Sequence, residues 1–97
     1  MAQVRLSVFY PQTEGASFDQ DYYRHKHVPL AVSKWQPASA TIEKGISGPY
    51  VAAVHFTFDS QDAMNAALGG PDTGEIQADV ANYTTINPVM QISEVVA

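Results

Sequence analysis

Residues 4–35 read VRLSVFYPQTEGASFDQDYYRHKHVPLAVSKW, and this stretch decides the fold. Val4, Leu6, Val8 and Tyr10 alternate with Arg5, Ser7 and Phe9, the period of two that sends successive side chains to opposite faces of a strand. Pro11 ends the strand. The turn formers of Pro11 to Ser17 follow, and Ser17 with Gln20 has the spacing of a capping box, which predicts a helix from near Phe18. The helix runs through YYRHKH towards Trp35. Pro29 deletes one backbone hydrogen bond and kinks it, and Gln36-Pro37 closes it.

Outward from this βα unit, Ala40 and Ile42 alternate with Thr41 and Glu43, and Val54, Phe56 and Phe58 alternate with Ala53, His55 and Thr57. With the turn Gly45 to Pro49 between them, these segments form a hairpin. Asp59 or Ser60 caps a second helix rich in Ala and Leu, which Gly69-Gly70-Pro71 stops, and Asp72 or Thr73 begins a further helical stretch through Val80. A last strand lies between Tyr83 and Val96, with Pro88 suited to an edge. The order βαββαβ predicts an α+β, ferredoxin-like domain: a four-stranded antiparallel sheet with both helices on one face. Strand one is apolar on both faces, and strand three sets Val51 and Ala53 opposite Val54 and Phe56. The second face is therefore expected to be covered, most simply by an identical subunit in a homodimer.

Ninety-seven residues make a single domain spanning 1–97, and 45% apolar residues against 15% charged supply a core. A net charge of −5 without a basic run argues against nucleic acid and anionic membrane as partners. The absence of cysteine removes disulfides, thiol nucleophiles and thiolate metal sites. No apolar run is long enough to span a membrane, and Met1 to Phe9 carries Arg5 without a small-residue cleavage site, so a cytoplasmic location is expected.

On an α-helical wheel His25 and His27 fall on nearly opposite faces, about 160° apart, which makes them a poor chelate pair; no metal site is expected. His25 reads as a surface residue. Tyr23, His27 and Leu30 share a face, so His27 lies between a phenol and an aliphatic side chain. An imidazole there can exchange a proton at neutral pH or serve as a packed hydrogen-bond donor. His55 lies mid-strand, lining either the same cavity or the subunit interface. Asp79, Asn82 and Tyr83 form a polar cluster before the last strand, where a loop can aim a carboxylate at an imidazole. The expected cleft sets Tyr23 and Leu30 of the helix against Phe9, Phe56 or His55 of the sheet. Nucleotide-binding, nucleophile-elbow and paired-glutamate zinc patterns are absent, so no cofactor is expected.

Three segments carry a family resemblance: residues 10–35, HFTFDSQDAMNAAL at 55–68 and DVANYTTINPVMQISE at 79–94. Together they resemble the ethyl tert-butyl ether degradation (EthD) family over nearly the whole chain. The resemblance implies a dimeric α+β barrel in which two ferredoxin-like units pack sheet against sheet, and it matches His27 to the family's characteristic helix-one histidine. It implies a small homodimer that binds an apolar or aromatic organic molecule between helix one and the sheet. Such a protein is either a cofactor-independent enzyme of monooxygenase, isomerase or cyclase type using His27 as acid or base, or a non-catalytic accessory protein of a degradation pathway. More distant relatives add haem binding through His27 or His55. Fold alone does not choose among these.

Overall fold

In the computed structural model, which describes residues 2–96, four strands form one antiparallel sheet: β1 (Val4–Pro11), β2 (Ser39–Lys44), β3 (Tyr50–Phe58) and β4 (Val89–Glu94). Their order is β2-β3-β1-β4, which puts the two most apolar strands at the centre. This is the ferredoxin-like arrangement that the alternation predicts. The register sets Leu6 opposite Phe56 and Ile92, and Val8 opposite Val54 and Met90, so one face of the sheet is apolar across three strands. Leu6, Val8, Tyr10, Val54, Phe56 and Phe58 are buried there beneath the helices. Burying each large side chain stabilises the fold by about 1.5–3 kcal/mol.

The first helix, α1 (residues 20–35), is built in three pieces: an α-turn at Gln20–Tyr22, a π-turn at Tyr23–His27 and an α-helix at Val28–Trp35. Asp19 is its N-cap, accepting the Tyr22 N–H at 3.1 Å. The Ser17–Gln20 capping box does not form, because the Phe18–Thr84 bridge keeps the chain extended through Phe18. Gln20 instead donates its amide to the Val51 carbonyl at 3.2 Å. Within the π-turn the Val28 N–H bonds the Tyr23 carbonyl five residues back. This wide turn lies directly before Pro29, whose ring has no N–H for the His25 carbonyl and needs room beside it. The predicted disturbance at Pro29 is thus taken up as a widened turn. Gln36 ends the helix in the left-handed region at φ 51°, its N–H returning to Val32.

Ser60 caps α2 (Gln61–Leu68), accepting the Ala63 N–H at 3.1 Å. The next helix, α3 (Thr73–Asp79), runs into a 3₁₀ turn at Val80–Asn82. The Trp35 indole N–H donates to Thr73 Oγ1 at 3.0 Å, and Thr73 donates to the Leu68 carbonyl at 2.9 Å. These two bonds clamp the end of α1 to the α2–α3 junction.

The opposite face of the sheet departs from the predicted apolar character. Ser7, Ala53 and Thr57 are buried on it, while Phe9 and His55 are half-buried and Glu43 is exposed. The pattern is one of small residues, two of the three polar, with Phe9 and His55 beside them. His55 is held at both ring nitrogens, Nδ1 lying 2.7 Å from Ser7 Oγ and Nε2 2.9 Å from Glu43 Oε1. Among the described residues no helix is long and apolar enough to cross a membrane.

Candidate functional site

The π-turn sets the site. It carries Tyr23 and His27 inward, both buried, and His25 outward to solvent. His27 Nδ1 lies 2.9 Å from Asp79 Oδ2, with His27 only 5% exposed. The carboxylate ends α3, and its other oxygen is also satisfied: Oδ1 accepts the Tyr22 hydroxyl at 2.7 Å and the Asn82 amide at 2.9 Å. Three donors from two elements therefore fix one carboxylate.

These contacts set the protonation states. Burial works to raise the Asp79 pKa, but hydrogen bonds from Asn82, Tyr22 and His27 outweigh it and hold the carboxyl below its ordinary value. Burial pushes the His27 imidazole below its ordinary value against the opposing pull of Asp79. At neutral pH the pair is a carboxylate hydrogen-bonded to a neutral imidazole. Because the carboxylate only accepts, Nδ1 carries the proton and the lone pair lies on Nε2. Asp79 raises the Tyr22 pKa, which keeps that hydroxyl a donor.

Nε2 makes no protein hydrogen bond among the described residues, and His27 lines a cleft between α1, α3 and the sheet. Apolar side chains dominate its walls, among them Val8, Trp35, Phe56, Ile76 and Met90, with Tyr10 beside them. The cleft encloses about 40 Å³, room for only a few water-sized groups. Met90, half-exposed and unbranched, forms a wall that can change rotamer. A wider hollow of about 490 Å³ lies across the sheet against the β2–β3 hairpin, lined by Phe9, Glu43 and Tyr50. It holds no buried acid–base pair among the described residues, whereas the cleft beside His27 does. No group of three or more metal-ligating side chains occurs among the described residues.

Against the sequence reading, the structure brings together His27, Asp79, Asn82, Tyr23 and Phe56. Tyr23 stacks on His27 with ring centroids 5.9 Å apart, and Phe56 lines the cleft. Leu30 is half-buried but outside the cleft lining, because the row that faces the cleft is His27, Ala31 and Trp35, and Leu30 lies one residue off it. Phe9 and His55 are corrected as well: both alternate onto the far face of the sheet. The reading missed Tyr22, Trp35 and Tyr10. Trp35 follows His27 and Ala31 in steps of four, a signal present in the sequence. Tyr22 carries no such signal, since α-helical geometry places it about 140° from His27.

No family model and no curated protein matches the chain, whereas solved structures do. A crystal structure of an EthD-like protein from Ralstonia eutropha JMP134 superposes with a TM-score of 0.91 at 40% identity, covering 100% of this chain and 95% of that one. The chain belongs to the EthD family. An EthD-family protein from Bacillus halodurans C-125 has a TM-score of 0.73 at 16% identity, covering 99% of this chain and 100% of its own. A protein of Thermobifida fusca YX, described as dimeric, ferredoxin-like and of unknown function, has a TM-score of 0.64 at 19% identity, covering 97% and 92%. At those lower identities the likeness is one of fold, and it agrees with the sheet order of this EthD protein.

Proposed function

We propose that this EthD protein binds a small apolar or aromatic organic molecule in the cleft beside His27, and that His27 acts on it as a general base through Nε2. The single observation that supports this is the commitment of Nδ1 to Asp79, which leaves Nε2 without a protein partner among the described residues on a histidine that lines an apolar cleft. Burial gives the neutral imidazole that a base needs, and the carboxylate stabilises the imidazolium that forms when Nε2 takes a proton. The proton transfer itself requires no further group. Met90 moves aside to admit a ligand larger than the closed cleft.

The proposal includes a homodimer formed through the sheet face that carries Ser7, Phe9, Ala53, His55 and Thr57. Ser7, Ala53 and Thr57 are already largely withdrawn from water there, and Phe9 and Tyr50 pack with ring centroids 5.0 Å apart at its edge. The dimeric description of the Thermobifida protein supports a dimer.

Trp35, the only tryptophan, reports on the cleft. Titration with phenol should change its fluorescence saturably, and Ala31→Phe, which fills the cleft, should abolish the change. An unsaturable response, or one that survives Ala31→Phe, would remove the binding site from this cleft.

A further inference from the structure

Two polar valencies remain unused inside the site. The first is the Nε2 lone pair of His27, an acceptor and base. The second lies among three phenols. Tyr10, Tyr23 and Tyr83 pack with ring centroids 5.2–5.9 Å apart, and His27 lies 4.5 Å from the Tyr83 ring. The Tyr10 and Tyr83 hydroxyls are 2.5 Å apart, a bond that consumes one hydrogen, and either oxygen can be the donor. The fully buried Tyr23 hydroxyl makes no well-formed hydrogen bond among the described residues, the Tyr10 hydroxyl being the polar group it meets. The cluster thus holds more O–H hydrogens than its own acceptors use. When Tyr83 donates to Tyr10, the Tyr10 hydrogen is free, and Tyr10 is the member of the cluster that lines the cleft with His27.

A ligand that satisfies both leftovers must accept a hydrogen bond from a phenol and surrender a proton to an imidazole. It must also carry no charge, since no lysine or arginine lines the cleft. Desolvation raises the pKa of Tyr10 and Tyr83, so both stay protonated as donors and leave the role of base to His27.

We infer that the ligand class is a neutral carbonyl compound with an acidic α-hydrogen, with Tyr10 donating to the carbonyl oxygen while His27 Nε2 removes the proton from carbon. This inference rests on the proposed role of His27 and adds both the substrate class and Tyr10. In the step, the C–H bond breaks and an N–H bond forms at Nε2. The C–H electron pair becomes a C=C bond, and the carbonyl π pair moves to oxygen, where the Tyr10 hydroxyl stabilises it. Return of the proton to a different carbon completes an isomerisation, with no electron gained or lost and no co-reactant needed.

Cyclohex-3-enone is a suitable probe, because proton removal at C2 and return at C4 gives conjugated cyclohex-2-enone, seen directly by its absorbance. The wild-type protein should accelerate this conversion over buffer. His27→Gln should lose the acceleration, and Tyr10→Phe should lower it by about 10²-fold, the usual cost of losing an oxyanion donor. Tyr83→Phe removes the hydroxyl whose donation leaves the Tyr10 hydrogen free, so it should also slow the reaction, by less than Tyr10→Phe. Melting curves on both variants report whether they fold. Full activity in a folded Tyr10→Phe protein would overturn the inference and leave His27 as base. Saturable binding of cyclohexanone at Trp35 without isomerisation of the enone would also overturn it, leaving the cleft as a binding site. Loss of the phenol response described above would instead remove the underlying reading.

Discussion

His27 Nδ1 and Asp79 Oδ2 meet at 2.9 Å across 52 residues of sequence, one on the π-turn of α1 and the other at the last residue of α3. Neither side chain reaches this position by local structure alone. The Trp35–Thr73 clamp holds the two helices together, and Tyr22 and Asn82 both donate to the carboxylate's other oxygen, Oδ1. The contact is a charge-assisted hydrogen bond, withdrawn from most solvent competition.

Replacing Asp79 by Asn keeps the shape but removes the charge that favours the imidazolium. The His27 pKa should fall further below its ordinary value, and any turnover that depends on His27 should drop by about 10²- to 10⁴-fold. Phenol binding at Trp35 should be retained. Proton NMR titration of His27 in the variant, alongside rate measurements, checks both parts.

Stability should fall on acidification in two separate windows. The folded protein resists protonation of His27, so the unfolded chain binds more protons as pH drops below about 6.5, and stability is lost from there downward. Asp79 is likewise held below its ordinary value of 3.8, so its contribution is complete above that pH and disappears as pH falls through the lower folded value. Melting temperatures of wild type and His27→Gln between pH 8 and 5 should differ in slope, with the variant flatter.

Gln36 holds a left-handed backbone at φ 51°, where a Cβ costs about 1–2 kcal/mol and glycine does not. Part of that gain is offset by the extra freedom of glycine in the unfolded chain. Gln36→Gly should therefore stabilise the fold by about 0.5–1 kcal/mol, a rise of several degrees in Tm. Calorimetry on the variant measures it directly.

Gly45 should tolerate no side chain. A Cβ there would fall 2.0 Å from the Tyr50 carbonyl oxygen, across the hairpin whose Gly45 N–H bonds the Val51 carbonyl at 2.8 Å. Gly45→Ala should destabilise by about 1–3 kcal/mol, the range for overpacking, as read from chemical denaturation.

The proposed dimer should appear in light scattering as about twice 10.5 kDa at micromolar concentration. Ala53→Glu, which adds a charge at the buried centre of the sheet face, should convert it to a monomer. A wild-type monomer at that concentration would withdraw the dimer.

Much of this was legible in the sequence, and the parts that were not have identifiable causes. The period-two alternation in β1 and β3 predicts the central strands and the face that meets the helices, because a strand's side-chain direction depends only on residue parity. Parity alone also excludes Phe9 and His55 from a cleft lined by Val8 and Phe56. The wheel sets Leu30 about 60° from His27, and the cleft takes the His27–Ala31–Trp35 row instead. Before His27 the wheel's 3.6 residues per turn fails, because a π-turn intervenes, and Pro29 is the local cue for one. The turn also explains why Tyr22 joins His27 at Asp79 against the α-helical expectation. Asp79 was readable as a carboxylate in a polar cluster, but its pairing with His27 depends on how α1 and α3 pack, which no local pattern encodes. The polar character of the far sheet face was visible in Ser7, His55 and Thr57, although Phe9 and Val51 drew the reading towards an apolar surface.

The most direct test of the account is long-range ¹H–¹⁵N correlation NMR of the His27 ring at neutral pH, repeated across a titration from pH 8 to 5. The ring should be a neutral imidazole with the proton on Nδ1 and an unprotonated Nε2, persisting below pH 6.5 and converting to imidazolium only at lower pH. A ring already doubly protonated at pH 7, or a neutral ring with its proton on Nε2, would contradict the proposal that His27 is a base oriented by Asp79.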